Sequence, residues 1–208
     1  MVDRHMKIGI SGGTFDPIHN GHLIIAETIR EEFELDEVVF IPVGLTPHKN
    51  ISRVTDAQHR YNMTRIAIES NPYFRVSRIE IDRKGFTYTV DTLIRLKQIY
   101  GEDTRMFFII GADVVHDLLT WRQYEKVFSL CEFIAAMRPG FNRSDFNSAV
   151  DNLRNNYGAV IHTAEVPLVD ISSTVIRNKV GNNKSIKYLV PEKVEQYIQE
   201  HRLYKDMG

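Results

Sequence analysis

The segment SGGTFDPIHNGH, residues 11–22, combines a pair of glycines with two histidines three residues apart. It lies between a short apolar run and a segment with helical spacing, which is where an α/β protein binds ligands. Gly12 and Gly13 let a ligand approach the backbone N–H groups, and the following helix start adds a partial positive charge of about half a unit. The segment therefore predicts an anion site.

The two imidazoles extend this prediction from binding to chemistry. At the start of a helix, His19 and His22 would share one face and could both donate hydrogen bonds to phosphate oxygens. The segment lacks the G-x-G-x-x-G spacing of dinucleotide folds and the G-K-S/T ending of a P-loop. A metal pair is the alternative, but only Asp16 and His48 are near enough to complete a zinc site, which needs three or four protein ligands. The pattern favours phosphate chemistry without a protein-held metal.

A second anion site is indicated by ISSTVIR near the C-terminus. Ser172, Ser173 and Thr174 stand where a helix should begin, and Arg177 follows about one turn later. Hydroxyls, helix N–H groups and a guanidinium bind anions, with charged hydrogen bonds worth about 1.5 to 3 kcal/mol each. Taken alone, an ordinary helix cap beside a surface arginine explains this segment better.

Short runs rich in Val, Ile and Phe alternate with segments of helical spacing along the whole chain. Strands are predicted at residues 7–11, 37–43, 74–81, 105–111, 132–138 and 159–166. Helices are predicted at residues 22–33, 56–70, 89–101, 143–158 and 190–204. Near-continuous apolar strands are covered on both faces. The pattern predicts a Rossmann-like, doubly wound, mainly parallel sheet with helices on both faces.

The length of 208 residues favours one domain with an appendage. We predict a single domain over residues 6–208, with a Rossmann-like core at 6–165 and a small C-terminal helical segment at 166–208. Residues 1–5 interrupt the apolar pattern, so we treat them as an extension outside the fold.

Composition excludes several classes of function. The net charge of −1 gives no general attraction to nucleic acid or anionic membranes, and no basic stripe with interleaved aromatic residues suggests tRNA binding. No apolar run approaches the ~20 residues of a membrane span. The single cysteine, Cys131, lies in an apolar run, which predicts a buried thiol in a reducing compartment. We expect a cytoplasmic protein without nucleic-acid or membrane partners, and a homo-oligomer stays open.

The first motif resembles the G-x-F-x-P-x-H-x-G-H signature of the nucleotidyltransferases related to class I aminoacyl-tRNA synthetases. The matching positions are Gly13, Phe15, Pro17, His19, Gly21 and His22. ISSTVIR is similar to the second signature of that superfamily, I-S-S-T-x-I-R. The resemblance implies that His19 and His22 hold the triphosphate and stabilise its α-phosphate. It also implies that the second motif, with Arg177, binds the β and γ phosphates of ATP.

Four further segments are similar to bacterial nicotinate-nucleotide adenylyltransferases, so the likeness covers nearly the whole chain from Met6 onward. They are TPHK at 46–49, FTYTVDTL at 86–93, IIGADVVHDLLTW at 109–121 and VPEKVEQYIQEHRLY at 190–204. The resemblance implies transfer of AMP from ATP to nicotinate mononucleotide, giving deamido-NAD and pyrophosphate in NAD biosynthesis. ATP and nicotinate mononucleotide are then the expected partners, and Mg²⁺ held mainly through the ATP phosphates is the expected cofactor.

The resemblance assigns two sets of binding residues, with His19, His22 and Arg177 as the catalytic ones. The ATP set is Gly12, Gly13, Thr14, Phe15, His19, His22, Gly111, Asp113, Ile171, Ser172, Ser173, Thr174 and Arg177. The nicotinate mononucleotide set is His48, Lys49, Thr87, Tyr88, Trp121 and Arg122. In this family the tryptophan ring stacks on nicotinate, and the backbone N–H groups at Trp121 and Arg122 would meet its carboxylate.

Several assigned residues have a simpler structural explanation. His48 and Lys49 could be solvated residues of a loop, and Asp113 could cap a helix. Trp121 could be a core residue, and Thr87 and Tyr88 could belong to a hairpin at a sheet edge.

Two other functions stay open on the sequence. Pantetheine-phosphate adenylyltransferases and cytidylyltransferases share the histidine motif, but the former are usually shorter and carry T-N-G-H where this chain has H-N-G-H. Neither explains GADVVHDLLTW at 111–121. A nucleotide-binding regulator without turnover is the alternative from another class.

Overall fold

A computed structural model describes residues 5–45, 54–137, 143–167 and 169–205, and it contains the predicted parallel sheet. The six strands are β1 (Lys7–Gly13), β2 (Glu37–Pro42), β3 (Phe74–Val76), β4 (Arg105–Gly111), β5 (Glu132–Met137) and β6 (Ile161–Glu165). Their order in the sheet is β3-β2-β1-β4-β5-β6, and each neighbouring pair is parallel. The Rossmann-like α/β fold is therefore confirmed.

The described part of the chain also contains seven α-helices and one 3-10 helix, of which the last two follow the last strand. They are α1 (Asn20–Glu32), α2 (Ala57–Ile68), α3 (Thr89–Tyr100), the 3-10 helix (Ala112–Thr120), α4 (Tyr124–Leu130), α5 (Arg143–Tyr157), α6 (Ser173–Gly181) and α7 (Glu192–Glu200). The predicted helices are present with ends shifted by at most two residues, except that α7 ends at Glu200, four residues before its predicted end. The 3-10 helix and α4 were not predicted, because neither presents the long 3.6-residue period on which such predictions rest. No described helix has the length and apolar character that crossing a bilayer requires.

Strand β3 is shorter than predicted, because the expected strand at 74–81 ends at Val76. Beyond it the chain turns, and the Asp82 N–H group donates to the Arg78 carbonyl at 2.9 Å. The Arg78 guanidinium also donates to the Asp82 carboxylate at 2.8 Å. These local bonds compete with sheet pairing, and the resulting turn brings Glu80 to the carboxyl edge of the sheet.

Two apolar cores cover the two faces of the sheet. Successive residues of β2 alternate between them, since Val39 and Ile41 belong to one core while Val38 and Phe40 belong to the other. The first core is completed by α3, the 3-10 helix, α4 and α5, and the second by α1, α2, α6 and α7. The C-terminal segment thus packs on the same sheet as the rest of the chain.

The carboxyl ends of β1 and β4 form the topological switch point. The chain leaves β1 toward β2 on one side of the sheet order and leaves β4 toward β5 on the other. The loops after these two strands therefore separate and leave a crevice, which is where open α/β sheets bind ligands. Both the glycine–histidine loop and the segment after Gly111 lie at this edge.

Candidate active site

The glycine–histidine loop places its two imidazoles side by side at the switch point. His19 is the N-cap residue of α1, and His22 lies in the first turn. The ring centroids are 3.7 Å apart with an interplanar angle of 25°. The backbone N–H group of His19 donates to Nδ1 of His22 at 3.2 Å. A ring nitrogen that accepts carries no proton, so the proton of a neutral His22 lies on Nε2, which makes that atom the donor of the ring.

Phe15 contributes to this loop through its backbone rather than its ring. Its side chain is 3% exposed and packs against Phe40, with the ring centroids 5.8 Å apart. The ring also meets His22 edge-on at 5.1 Å. Its φ angle of 50° lies in the left-handed region, which turns the chain after β1. Phe15 therefore shapes the loop from a buried position, and its assignment to the ATP set stays a prediction.

Arg60 of α2 is hydrogen-bonded to the glycine–histidine loop. Its guanidinium donates to the carbonyls of Thr14 and Val43 at 2.8 Å each and to the carbonyl of Thr55 at 2.9 Å. These three carbonyls belong to the loop after β1, the end of β2 and the start of α2. One buried side chain thus holds three segments at the edge of the sheet.

The charge of Arg60 is buried, since the residue is 3% exposed. Burial lowers the pKa of Arg60, and the nearby Asp16 and Asp56 carboxylates oppose that shift. Sequence reasoning missed this residue, because an arginine in an amphipathic helix is normally solvated. Its helical spacing from the buried Met63 and Thr64 was the available signal.

The second predicted anion site begins helix α6, as expected. Ser172 is the N-cap residue, and its hydroxyl accepts a hydrogen bond from the Val175 N–H group at 3.2 Å. Thr174 is exposed in the first turn. Ile171 is half-buried against the second core, so its side chain anchors the segment.

Helix α6 docks directly on the glycine–histidine loop. The Arg177 guanidinium donates to the Asp16 carbonyl at 2.7 Å, and the Ser173 hydroxyl donates to the Pro17 carbonyl at 2.9 Å. Arg177 also donates to the Thr174 hydroxyl at 3.3 Å. The two segments predicted to bind anions are therefore in contact, although more than half of the chain separates them in sequence.

Gly111 and Asp113 form a compact turn at the end of β4. A Cβ atom on Gly111 would lie 2.4 Å from Oδ1 of Asp113, so the carboxylate folds back over the glycine. Gly111 is the N-cap residue of the 3-10 helix, and Asp113 lies within its first turn. The capping alternative for Asp113 is therefore wrong. Its exposed carboxylate stands beside the switch point, where it can accept hydroxyl donors.

A cavity of about 360 Å³ opens at the carboxyl ends of β1, β2 and β4. It is lined by Gly12, Gly13, Thr14, Ile41, Val43, Glu80, Thr87, Tyr88, Thr89, Phe108, Trp121 and Arg122. The structure thus brings four residues assigned to the mononucleotide next to three assigned to ATP. His48 and Lys49 lie outside the described residues.

Trp121 both packs on the core and faces the cavity. Its ring meets Phe108 and Phe133 edge-on, with centroids 5.6 and 6.1 Å apart. The side that lines the cavity is left for a ligand. The Trp121 N–H group donates to the Leu118 carbonyl at 3.2 Å, which closes the 3-10 helix. That bond already engages one of the two N–H groups expected to meet the pyridine carboxylate.

Thr87 and Tyr88 also line this cavity. The Thr87 N–H group donates to the Leu45 carbonyl at 2.8 Å, and Leu45 pairs with Phe86 in a parallel bridge. A hairpin requires antiparallel pairing, so the hairpin alternative is wrong. Tyr88 is the N-cap residue of α3, and the Arg122 guanidinium lies over its ring at 4.4 Å.

Glu80 is a second residue that the sequence prediction missed. Its carboxylate lines the cavity and accepts a hydrogen bond from the Thr92 hydroxyl at 2.8 Å. Burial raises the pKa of Glu80, while hydrogen bonds from Thr92, Thr87 and the Gly44 backbone oppose that shift. A Cβ atom on Gly44 would lie 2.2 Å from the Glu80 carbonyl oxygen, so only glycine allows these backbones to approach. Glu80 was assigned to a strand, where no such role is visible.

Comparison with known sequences finds two kinds of match. Residues 10–179, which include both predicted anion-binding motifs, match the model of the cytidylyltransferase-like family. A probable nicotinate-nucleotide adenylyltransferase of Thermoanaerobacter sp. (strain X514) is 50% identical over 204 residues, covering 98% of this chain and 97% of the relative. One of Moorella thermoacetica is 50% identical over 205 residues, covering 99% and 94%.

Comparison with solved structures finds the same fold. Nicotinic acid mononucleotide adenylyltransferase of Plasmodium falciparum, solved in complexes with APC and with NaAD, aligns with a TM-score of 0.77. The alignment covers 96% of this chain and 98% of that one at 23% identity, so it supports the fold alone. From the family model and the sequence relatives, the chain belongs to the cytidylyltransferase-like family and, within it, to the nicotinate-nucleotide adenylyltransferases.

Proposed function

We propose that this protein transfers the adenylyl group of ATP to nicotinate mononucleotide, giving nicotinate adenine dinucleotide and pyrophosphate in NAD biosynthesis. One observation carries the proposal. The glycine–histidine loop lies between the docked start of α6 and the cavity of Trp121, so a triphosphate site and an aromatic site share one loop. Relatives that are 50% identical over nearly the full chain carry this activity in their names.

On this proposal, ATP lies across the loop and the start of α6. The N–H groups at the start of both helices and the Arg177 guanidinium would bind its β and γ phosphates. His19 and His22 would donate to the α-phosphate, where charge builds up in the transition state. Asp113, at the end of β4, would accept hydrogen bonds from the ribose hydroxyls.

Nicotinate mononucleotide would occupy the cavity on the other side of Gly12 and Gly13. Its pyridine ring would stack on Trp121, and Thr87 and Tyr88 would line its opposite side. Because the Trp121 N–H group is engaged with Leu118, we assign the pyridine carboxylate to the neighbouring N–H group of Arg122.

The reaction we infer is a direct in-line displacement. An oxygen of the mononucleotide phosphate forms a bond to the α-phosphorus of ATP, and the bond from that phosphorus to the leaving pyrophosphate breaks. A phosphate monoester has a second pKa of about 6, so the attacking group needs no general base at neutral pH. Positioning and charge neutralisation then supply the catalysis. Cys131 is buried, and burial raises its thiol pKa far above the ordinary range, so it does not serve as a nucleophile.

The expected Mg²⁺ fits this arrangement as a companion of ATP. Within the described ranges, no group of three or more His, Cys, Asp and Glu side chains is placed to hold a metal ion. We therefore expect phosphate oxygens and water to be its main ligands, and the bound ion would neutralise phosphate charge. We also propose a cytoplasmic location, which suits a buried free thiol.

Pyrophosphate release tests the proposal. The full chain is mixed with ATP, Mg²⁺ and nicotinate mononucleotide, and parallel reactions replace the mononucleotide by nicotinamide mononucleotide or by phosphopantetheine. We expect stoichiometric pyrophosphate and dinucleotide only with a pyridine mononucleotide. Release with phosphopantetheine alone would favour the related adenylyltransferase, and ATP binding without any release would favour the regulator. The ratio of kcat/KM for the two mononucleotides measures the preference for acid over amide.

A further inference from the structure

The described residues that follow α7 contact the loop of the candidate active site. After α7, Arg202 and Tyr204 adopt φ angles of 52° and 66°, which lie in the left-handed region that non-glycine residues avoid. Such a conformation persists only where surrounding contacts enforce it. The contacts are those of the Tyr204 side chain, which is 5% exposed within the second core. Tyr204 also lies beyond residues 10–179, which match the family model.

The Tyr204 hydroxyl reaches the loop that carries the catalytic histidines. It donates to Oδ1 of Asp16 at 2.8 Å. The other carboxylate oxygen of Asp16 accepts from the Thr55 N–H group at 3.2 Å, and its carbonyl accepts from Arg177 at 2.7 Å. Asp16 is 4% exposed, so water does not replace these partners readily.

Asp16 therefore connects the two halves of the proposed ATP site. It lies three residues before His19, and its backbone oxygen holds the guanidinium of Arg177. A rotation of the Asp16 residue would move both groups at once. Burial raises the pKa of Tyr204, and the Asp16 carboxylate raises it further, so the hydroxyl remains a donor at neutral pH.

We propose that Tyr204 is a positioning residue for adenylyl transfer. It acts through Asp16 to hold His19 and Arg177 in their positions relative to each other. This inference rests on the proposed function. The hydroxyl does not touch the reacting atoms, and its effect is geometric. Small displacements of groups that stabilise a transition state lower kcat strongly, even where binding survives.

The test compares two single-atom deletions in the C-terminal segment, made in the full-length protein. Tyr204→Phe removes the bond to Asp16 and keeps the packed ring. Tyr197→Phe is the matched control, because the Tyr197 hydroxyl ties the same C-terminal segment to α2, through His59 at 3.0 Å and Asn62 at 2.9 Å, without contacting Asp16. Thermal unfolding, kcat, KM for both substrates and the Kd of ATP are measured for each.

We expect Tyr204→Phe to lower kcat about tenfold and to leave KM for nicotinate mononucleotide within about twofold. Tyr197→Phe should lower the unfolding temperature by a similar amount and keep kcat within about twofold. The proposal is overturned if kcat of Tyr204→Phe stays within twofold, or if the control loses as much activity.

The Kd of ATP separates this inference from the proposed function. If the parent protein releases no pyrophosphate, the proposed function fails on its own. ATP binding then decides the inference, since a displaced Arg177 should weaken it about fivefold in Tyr204→Phe and not in Tyr197→Phe. An unchanged Kd of ATP in Tyr204→Phe would then overturn the inference.

Discussion

The imidazoles of His19 and His22 lie nearly face to face, with 3.7 Å between their centroids and a hydrogen bond from the His19 N–H group to Nδ1 of His22. Because that bond occupies Nδ1 of His22, the pair presents a fixed donor rather than a freely rotating ring.

Replacing either histidine by alanine should lower kcat by about 10² to 10³, as deletion of an oxyanion donor does. ATP binding should change much less, because the helix N–H groups and Arg177 remain. Pyrophosphate release and ATP titration measure the two effects. His162→Gln is the control, since His162 pairs with Glu132 at 2.6 Å near the amino ends of β5 and β6, on the opposite edge of the sheet. Turnover within tenfold of the parent in His19→Ala and His22→Ala would contradict the assigned role.

Arg60→Met should destabilise the fold and impair both substrate sites. Each of the three carbonyls would lose its hydrogen-bond donor, which lowers the free energy of unfolding by about 1 to 3 kcal/mol per carbonyl. Because the variant no longer buries a charge, part of this loss is offset, and we expect a net decrease of about 3 kcal/mol. Arg60→Lys should be intermediate, because an ammonium group cannot reach all three carbonyls in the same planar arrangement. Urea unfolding and kcat measure these changes.

Thr64→Val is the matched control for Arg60. Thr64 is buried on the same helix, and its hydroxyl donates only to the Arg60 carbonyl, at 2.8 Å. It should lose some stability and keep both KM values. Equal kinetic effects in the two variants would show that a loosened α2, rather than the guanidinium, accounts for the loss.

Gly44→Ala should raise KM for nicotinate mononucleotide about tenfold. The new methyl group would start 2.2 Å from the Glu80 carbonyl oxygen, so backbone must move at the cavity wall, at a cost of about 1 to 3 kcal/mol. Gly158→Ala provides the comparison, because its φ is 69° and no atom lies within 4 Å of the added Cβ. It should cost about 1 kcal/mol through backbone strain alone and leave KM unchanged. A normal KM in Gly44→Ala would exclude this wall from the mononucleotide site.

Intrinsic fluorescence should report binding of the mononucleotide. Trp121 is the single tryptophan of the chain and lines the cavity. Stacking of a pyridine ring should quench its emission, whereas ATP alone should change it little, since ATP is assigned to the other side of the loop. Titration with each substrate gives the two responses, and Trp121→Phe provides the baseline. No response to saturating mononucleotide would contradict the stacked arrangement.

The amino-acid sequence alone determined the fold class and singled out the two predicted phosphate motifs. The apolar runs of β1, β2, β4 and β5 are local and nearly continuous, so their position and parallel pairing could be predicted. The glycines and histidines of residues 11–22 act through the local geometry of one strand end and one helix start, and that geometry depends on neighbours in the chain. Sequence spacing therefore carried most of the information about this loop.

Tertiary structure decided which residues support those motifs. In the sequence, Arg60 resembles an ordinary surface cation and Glu80 resembles a strand residue. Tyr204 resembles an aromatic residue at the end of a helix. Each acquires its role from bonds to distant segments, such as the Tyr204 hydroxyl on Asp16 across 188 positions. Burial makes these bonds matter, because a polar group shielded from water needs its protein partner, and no local pattern states which partner that will be.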